Sequence, residues 1–137
     1  MTSVEGKLLF ETETFIINGI LFSTHNDIGR YCNEMQVADR IEFYFKEKKI
    51  KYQRELILPP SFEGERNGRN KVDFLVFGEI ILEIKSKRFL SKEDYFQVQR
   101  YLHAINKKLG ILVNFRDERI HPRRILNPDH SPSAISA

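Results

Sequence analysis

The stretch Lys71-Val72-Asp73-Phe74-Leu75-Val76-Phe77-Gly78-Glu79-Ile80-Ile81-Leu82-Glu83-Ile84-Lys85 holds two apolar runs around a glycine, and its side chains select one β-hairpin register. A two-residue Gly78-Glu79 turn would set Phe74 opposite Glu83 and Val72 opposite Lys85, mixing charge with apolar groups on both faces. A three-residue Phe77-Gly78-Glu79 loop instead pairs Val76 with Ile80, Phe74 with Leu82 and Val72 with Ile84 on one apolar face. The other face then pairs Leu75 with Ile81, Asp73 with Glu83 and Lys71 with Lys85. Gly78 supplies the left-handed position that such loops need.

This register opposes two carboxylates. Directly paired residues on one face have Cβ atoms about 5 Å apart, so Asp73 and Glu83 repel unless a cation or a proton lies between them. A hard divalent ion such as Mg²⁺ takes one or two protein carboxylates and keeps positions open for water and phosphate oxygens. Lys85 shares the face of Glu83 and can orient or help deprotonate an attacking water, or stabilise charge developing on a phosphate. The competing reading is a charged, solvent-facing side of the hairpin, with Asp73 and Glu83 each bridged to Lys71 or Lys85.

Working outward, residues 33–49 carry Val37, Ala38, Ile41 and Phe45 at helical spacing, with Asn33 and Gln36 placed to cap the start. A second helix is predicted from Ser91-Lys92-Glu93-Asp94, which resembles a capping box, through the stripe Val98, Tyr101, Leu102, Ile105 and Leu109. Lys107, Lys108 and Gly110 read as its stop signals. Strands are predicted over 52–58, 71–77, 80–85, 111–115 and 119–126, and residues 59–70, with Pro59-Pro60, Gly64 and Gly68, form a loop. Segment 8–28 has two readings. Asn18-Gly19 between apolar triplets is a hairpin signal, whereas Ile17, Ile20, Leu21 and Ile28 fit one helical face. The order predicts an α/β domain with a mixed sheet.

Asp73 with Glu83-Ile84-Lys85 resembles the core of the PD-(D/E)XK nuclease superfamily, and the chain from about Leu8 to Leu126 is similar to its GxxExxY branch. Ile16-Ile17-Asn18-Gly19 through His25-Asn26-Asp27-Ile28-Gly29 resembles that branch's first helix, which favours the helical reading of 8–28. Glu34 falls on the glutamate of the branch motif, Gln53 on its usual Gln, and Gln97 with Tyr101 on its Gln-x-x-x-Tyr. Gly110-Ile111-Leu112-Val113-Asn114-Phe115 looks like its Gly-Leu-Leu-x-Asn-Phe strand. Tyr31 stands where the motif has Gly, and Val37 where it has Tyr. The resemblance implies a restriction-endonuclease-like core, a mixed central sheet flanked by helices, and nuclease chemistry with Mg²⁺ or Mn²⁺.

On this reading Asp73, Glu83, the carbonyl of Ile84 and Glu34 hold the metal, and Asp73, Glu83, Lys85 and Glu34 are the catalytic set. Glu34 lies on the apolar face of its helix and is expected to point inward, touching the metal directly or through water; the alternative is an acid favoured by the helix N-terminus. Gln97 and Tyr101 share a helix face, as a pair that orients Lys85 or a phosphate. Lys87, Arg88 and Lys92 are expected to hold a nucleic-acid backbone. His25 reads as a capping or packing residue. His103, His121 and His130 lack spacing partners, so no zinc site is expected.

Composition bounds these readings. A chain of 137 residues with 41% hydrophobic side chains suits one domain. That domain is expected over 1–126, with 127–137 as a disordered tail. Residues 1–45 carry three basic against seven acidic side chains, so the +3 of the whole chain leaves +7 on residues 46–137, a balance suited to a polyanion. The single Cys32 excludes an internal disulfide and a thiolate metal cluster, and together with the absence of an apolar run of membrane length or a signal-peptide layout it predicts a cytoplasmic protein. The expected partner is nucleic acid, DNA in preference to RNA, with no membrane and with room for a homodimer or a partner protein. The rival function is an inactive nuclease-like fold that binds nucleic acid or protein without turnover.

Overall fold

The hairpin lies at the centre of a five-stranded sheet. A computed structural model describes residues 9–129. Its elements, in chain order, are α1 (Glu11–Ile28), α2 (Glu34–Glu47), β1 (Tyr52–Ile57), β2 (Lys71–Val76), β3 (Ile80–Lys85), α3 (Lys92–Ile105), β4 (Leu109–Asn114) and β5 (Arg123–Leu126). The strands lie side by side in sequence order, antiparallel throughout except for the parallel β3–β4 pair that α3 connects. This is the mixed, helix-flanked sheet that the sequence predicts. Among the described residues no helix is long and apolar enough to cross a membrane.

Each face buries its own cluster. α1 and α2 press Ile17, Leu21, Val37, Ile41 and Phe45 onto Phe74, Val76, Ile80, Leu82, Ile84 and Val113. α3 packs Val98, Tyr101 and Leu102 on the opposite face against Leu75, Ile81, Leu112 and Ile125. Within the segment 8–28, residues 11–28 are helical, because burying the Ile17, Ile20 and Leu21 stripe outweighs the roughly 1 kcal/mol cost of a mid-helix glycine. Gly29 ends α1 at φ 76°, its N–H returning to the His25 carbonyl at 2.8 Å. His25 itself packs against Phe115 and bonds the Asp117 carbonyl at 3.0 Å, a packing role. Asn33 and Gln36 form the expected capping box on α2.

Two expectations need correction. α3 stops at Ile105, with Asn106 in the left-handed conformation (φ 55°), so Leu109 and Gly110 belong to β4 and not to the helix end. Gly110 marks a close approach: a Cβ there would lie 2.6 Å from Val98 Cγ1. The last strand is also shorter than 119–126, covering Arg123–Leu126. Within the segment 127–137 expected to fray, Asn127 is buried and bonds the Lys107 and Lys108 carbonyls, each at 3.0 Å. Residues 130–137, His130 among them, lie outside the described residues.

Candidate active site

The hairpin keeps the three-residue loop register for Val76–Ile80, Leu75–Ile81 and Phe74–Leu82, and there the β2–β3 ladder ends. At the next step the carboxylates take over the backbone bonding. Asp73 N–H donates to Glu83 Oε2 at 2.8 Å, and Ile84 N–H donates to Asp73 Oδ2 at 2.8 Å. On the other side of β2, the β1 ladder runs from Tyr52–Val76 to Ile57–Lys71 with no pair at Glu55–Asp73, and Glu55 is left-handed at φ 56°. The faces exchange across this point. Tyr52 and Phe74 pack on the α1–α2 side, while Leu56 and Val72 pack on the α3 side. Val72 therefore does not join Ile84 on one apolar face, because the left-handed residue shifts the alternation.

Two carboxylates are thereby fixed side by side in a fork, Glu83 buried and Asp73 half-buried. Glu83 is 4% exposed. Burial, reinforced by the charge of Asp73, pushes its carboxyl up to about 8. Asp73 is raised as well, by burial first and by the charge of Glu34, although the Ile84 N–H opposes the shift. Lys71 pairs with Glu55 at 3.5 Å and Lys85 with Gln97, so neither lysine bridges the two acids, and the solvated-hairpin reading fails. Among the described residues no hydrogen-bond donor reaches Asp73 Oδ1 or Glu83 Oε1. Two adjacent carboxylates, each pinned through one oxygen, form a donor set that fits a hard divalent cation keeping most of its waters. Among the described residues no three His, Cys, Asp or Glu side chains stand close enough to hold an ion together.

Glu34 is exposed, not turned into the core as its helical position predicts: it is the first residue of α2, and burial on that helix begins only at Val37. Its carboxylate still turns toward the fork, accepting Ser86 N–H at 3.1 Å, and its charge reaches both acids. Ile84, between Glu83 and Lys85, spends its N–H on Asp73. Lys85 Nζ donates to Gln97 Oε1 at 2.8 Å, as the expected pairing requires. Tyr101 is buried one turn further along α3, its hydroxyl pushed up by burial and then by the charge of Glu83.

Asp94 and Asn114 complete the support, and neither was assigned such a role from sequence. Asp94 accepts Ser91 N–H at 2.7 Å as a capping acid, but it also lies 3.9 Å from Lys85 Nζ and 3.0 Å from Lys87 Nζ. Burial opposes its ionisation, yet Ser91 and Lys87 together hold its carboxyl below the ordinary range. Lys87, expected on a nucleic-acid backbone, is thus engaged by an acid, whereas Arg88 and Lys92 are exposed. Asn114 clamps the backbone of Lys87 through both amide atoms, at 3.0 and 2.8 Å. The sequence signals were the acid in the capping box and, for Asn114, the Asn of the resembled Gly-Leu-Leu-x-Asn-Phe strand. Gln53 faces solvent on β1.

Among solved structures, SSO0001 is 16% identical, with 82% of this chain and 66% of that one aligned at a TM-score of 0.49. The alkaline exonuclease LHK-Exo from Laribacter hongkongensis is 14% identical, with 95% and 75% aligned at a TM-score of 0.49. The chain spans about two thirds of the length of the first of these. No curated protein matches the sequence. A family model described as the PD-(D/E)XK nuclease superfamily matches residues 11–125, a span that runs from α1 to β5 and includes the forked carboxylates and Lys85. The chain belongs to the PD-(D/E)XK nuclease superfamily.

Proposed function

We propose that the protein is a divalent-metal-dependent phosphodiesterase acting on nucleic acid, with Mg²⁺ or Mn²⁺ as the ion and DNA as the substrate, and that it belongs to the GxxExxY-type branch. The observation that carries this reading is the fork itself. Glu83 is buried with the half-buried Asp73 beside it, both at raised pKa, a costly arrangement that a cation relieves. A bound divalent ion would supply a polarised phosphate oxygen and a more acidic water. Asp73 and Glu83, with the Ile84 carbonyl, are the residues to hold it, and Glu34 acts on it through water.

Lys85 Nζ, fixed by Gln97, is directed to the water or to charge developing on the phosphate. Tyr101, buried on the same helix face as Gln97, is the second member of the pair that orients Lys85 or a phosphate. Arg88 and Lys92 face solvent at the same end and supply backbone attraction. A cytoplasmic location is proposed on the single Cys32, which needs no oxidising compartment. The branch assignment is supported by Glu34 turning toward the carboxylates and by the Gln97–Lys85 bond.

The test is cleavage of labelled single- and double-stranded DNA and RNA with Mg²⁺ or Mn²⁺. DNA cleavage that vanishes in chelator and in Lys85→Ala and Asp73→Ala is expected. Cleavage surviving either substitution overturns the assignment. Salt-sensitive binding that persists in Glu83→Ala, with no cleavage under any metal, favours a binding module instead.

A further inference from the structure

Beside the catalytic strand lies a cationic aromatic cluster that the reaction does not use. Tyr31, in the α1–α2 connection, is 75% exposed. The Arg30 guanidinium sits 5.1 Å from its ring centroid and that of Arg116, from beyond β4, sits 5.4 Å away. Arg30 Nε donates to the Arg116 carbonyl at 2.9 Å, which ties the two segments together. Among the described residues neither arginine has an acidic partner within 4.0 Å. Two cations held against one open ring without a counter-charge form a surface suited to an anion that also carries a flat apolar face.

The cluster is joined to the active strand by short bonds. Ser86, next to Lys85, donates from Oγ to the Cys32 carbonyl at 3.0 Å, and Cys32 follows Tyr31. Asn114, which clamps Lys87, also accepts Arg116 N–H at 3.3 Å. Arg88 and Phe89, directly after Lys87, repeat the pairing, with the guanidinium 5.7 Å from a ring that is 74% exposed.

We infer that Tyr31, with Arg30 and Arg116, is a stacking platform for an unpaired nucleotide next to the scissile phosphate, so that the substrate presented to this site is single-stranded. The assignment rests on nucleic acid being the substrate, as proposed above. A duplex keeps its base faces stacked on each other and offers the ring nothing, whereas an unpaired base gains a partner on the ring or on a guanidinium plane. Tyr31 occupies the motif position where the resembled branch carries glycine, so the ring is a departure of this chain.

The experiment uses the Glu83→Gln protein in chelator, so that no strand is cut, with a fluorescent oligo-dT of about 12 nucleotides and a duplex of equal length read by anisotropy. Tyr31→Ala is expected to weaken single-strand binding about tenfold and duplex binding less than about twofold, while Tyr31→Phe retains single-strand affinity. Arg30→Gln and Arg116→Gln are expected to weaken both and to flatten the salt dependence by about one unit of slope each. Tyr31 is exposed, so thermal unfolding of its variants should match the parent. Equal loss on both substrates, no loss on either, or a Phe variant as weak as Ala overturns the platform. A protein that cuts nothing with any metal yet loses single-strand binding on Tyr31→Ala overturns the nuclease reading alone. One that cuts through Asp73 and Lys85 with single-strand binding indifferent to Tyr31 overturns the platform alone.

Discussion

From Phe74 to Val76, β2 pairs regularly with Ile80 to Leu82, and every side chain on both strands there is buried and apolar. One residue further from the turn, the same two strands stop pairing, and Asp73 and Glu83 use their carboxylates to satisfy each other's strand. The turn half is held by packing on both faces. The open half substitutes side-chain bonds for ladder bonds and holds the buried Glu83 against a second, half-buried acid, an arrangement that costs stability. The contrast shows how one hairpin separates its tasks: the closed half sets the register, and that register delivers the carboxylates to the fork.

The sharpest way to test this division is to break each half in turn. Leu82→Ala removes a fully buried side chain from the closed half and is expected to cost about 2–5 kcal/mol of stability, with the rate per folded molecule largely kept. Lys85→Ala in the open half is expected to lower cleavage by at least about 10²-fold, with little change in thermal unfolding. Chemical denaturation and single-turnover cleavage read the two axes separately. If Leu82→Ala lost rate per folded molecule as steeply as Lys85→Ala, the halves would not be separable.

The second test exploits protons. With metal chelated, the Glu83 carboxyl stands at about 8 in the folded chain, against an unfolded value of about 4.3. Between those values the folded state binds the extra proton, so this group's stabilisation is complete below the unfolded value and is lost as pH rises through about 8. The expected slope is at most about 1.4 kcal/mol per pH unit. Asp73, raised beside it, acts in the same sense as Glu83, whereas Glu42 and Asp94, both held below the ordinary range, act in the opposite sense at lower pH, so the window for the fork is about pH 5 to 8. Melting temperature in chelator should fall across that window, recover on adding Mg²⁺ at the alkaline end, and flatten in Glu83→Gln. Parallel profiles for parent and variant would remove the fork as the source.

Much of this was legible in the sequence, and the remainder was hidden for identifiable reasons. The three-residue turn followed from refusing to mix charge with apolar groups, and it placed Asp73 opposite Glu83. The exchange of faces at Glu55 was invisible, because a left-handed residue in mid-strand that is not glycine leaves no mark in the pattern. Gly110 carried two readings, a helix stop from the pattern and a strand residue from the resemblance, and its place in β4 with a 2.6 Å approach of Val98 Cγ1 selects the second. Glu34 misled through its helical phase, since periodicity gives a face and not which turn of the helix is the first to be covered. Asp94 was read as a cap because capping accounts for an acid three residues after Ser91. Its second task, beside Lys85 and Lys87, depends on packing between distant segments.

The smallest expected effect lies at the junction of the two halves. Gln97 projects from α3, whose Val98 and Leu102 pack behind the closed half, and holds Lys85 in the open half. If the bond sets the position of the lysine, Gln97→Ala should slow the chemical step about tenfold and leave KM for the oligonucleotide unchanged, because the lost interaction serves the reacting centre and not substrate binding. Gln97→Glu keeps an acceptor at the same reach and should recover part of the rate, which a merely structural contact would not do. A fall in rate that tracks a fall in melting temperature in both variants would instead make Gln97 part of the packing that fixes the closed half.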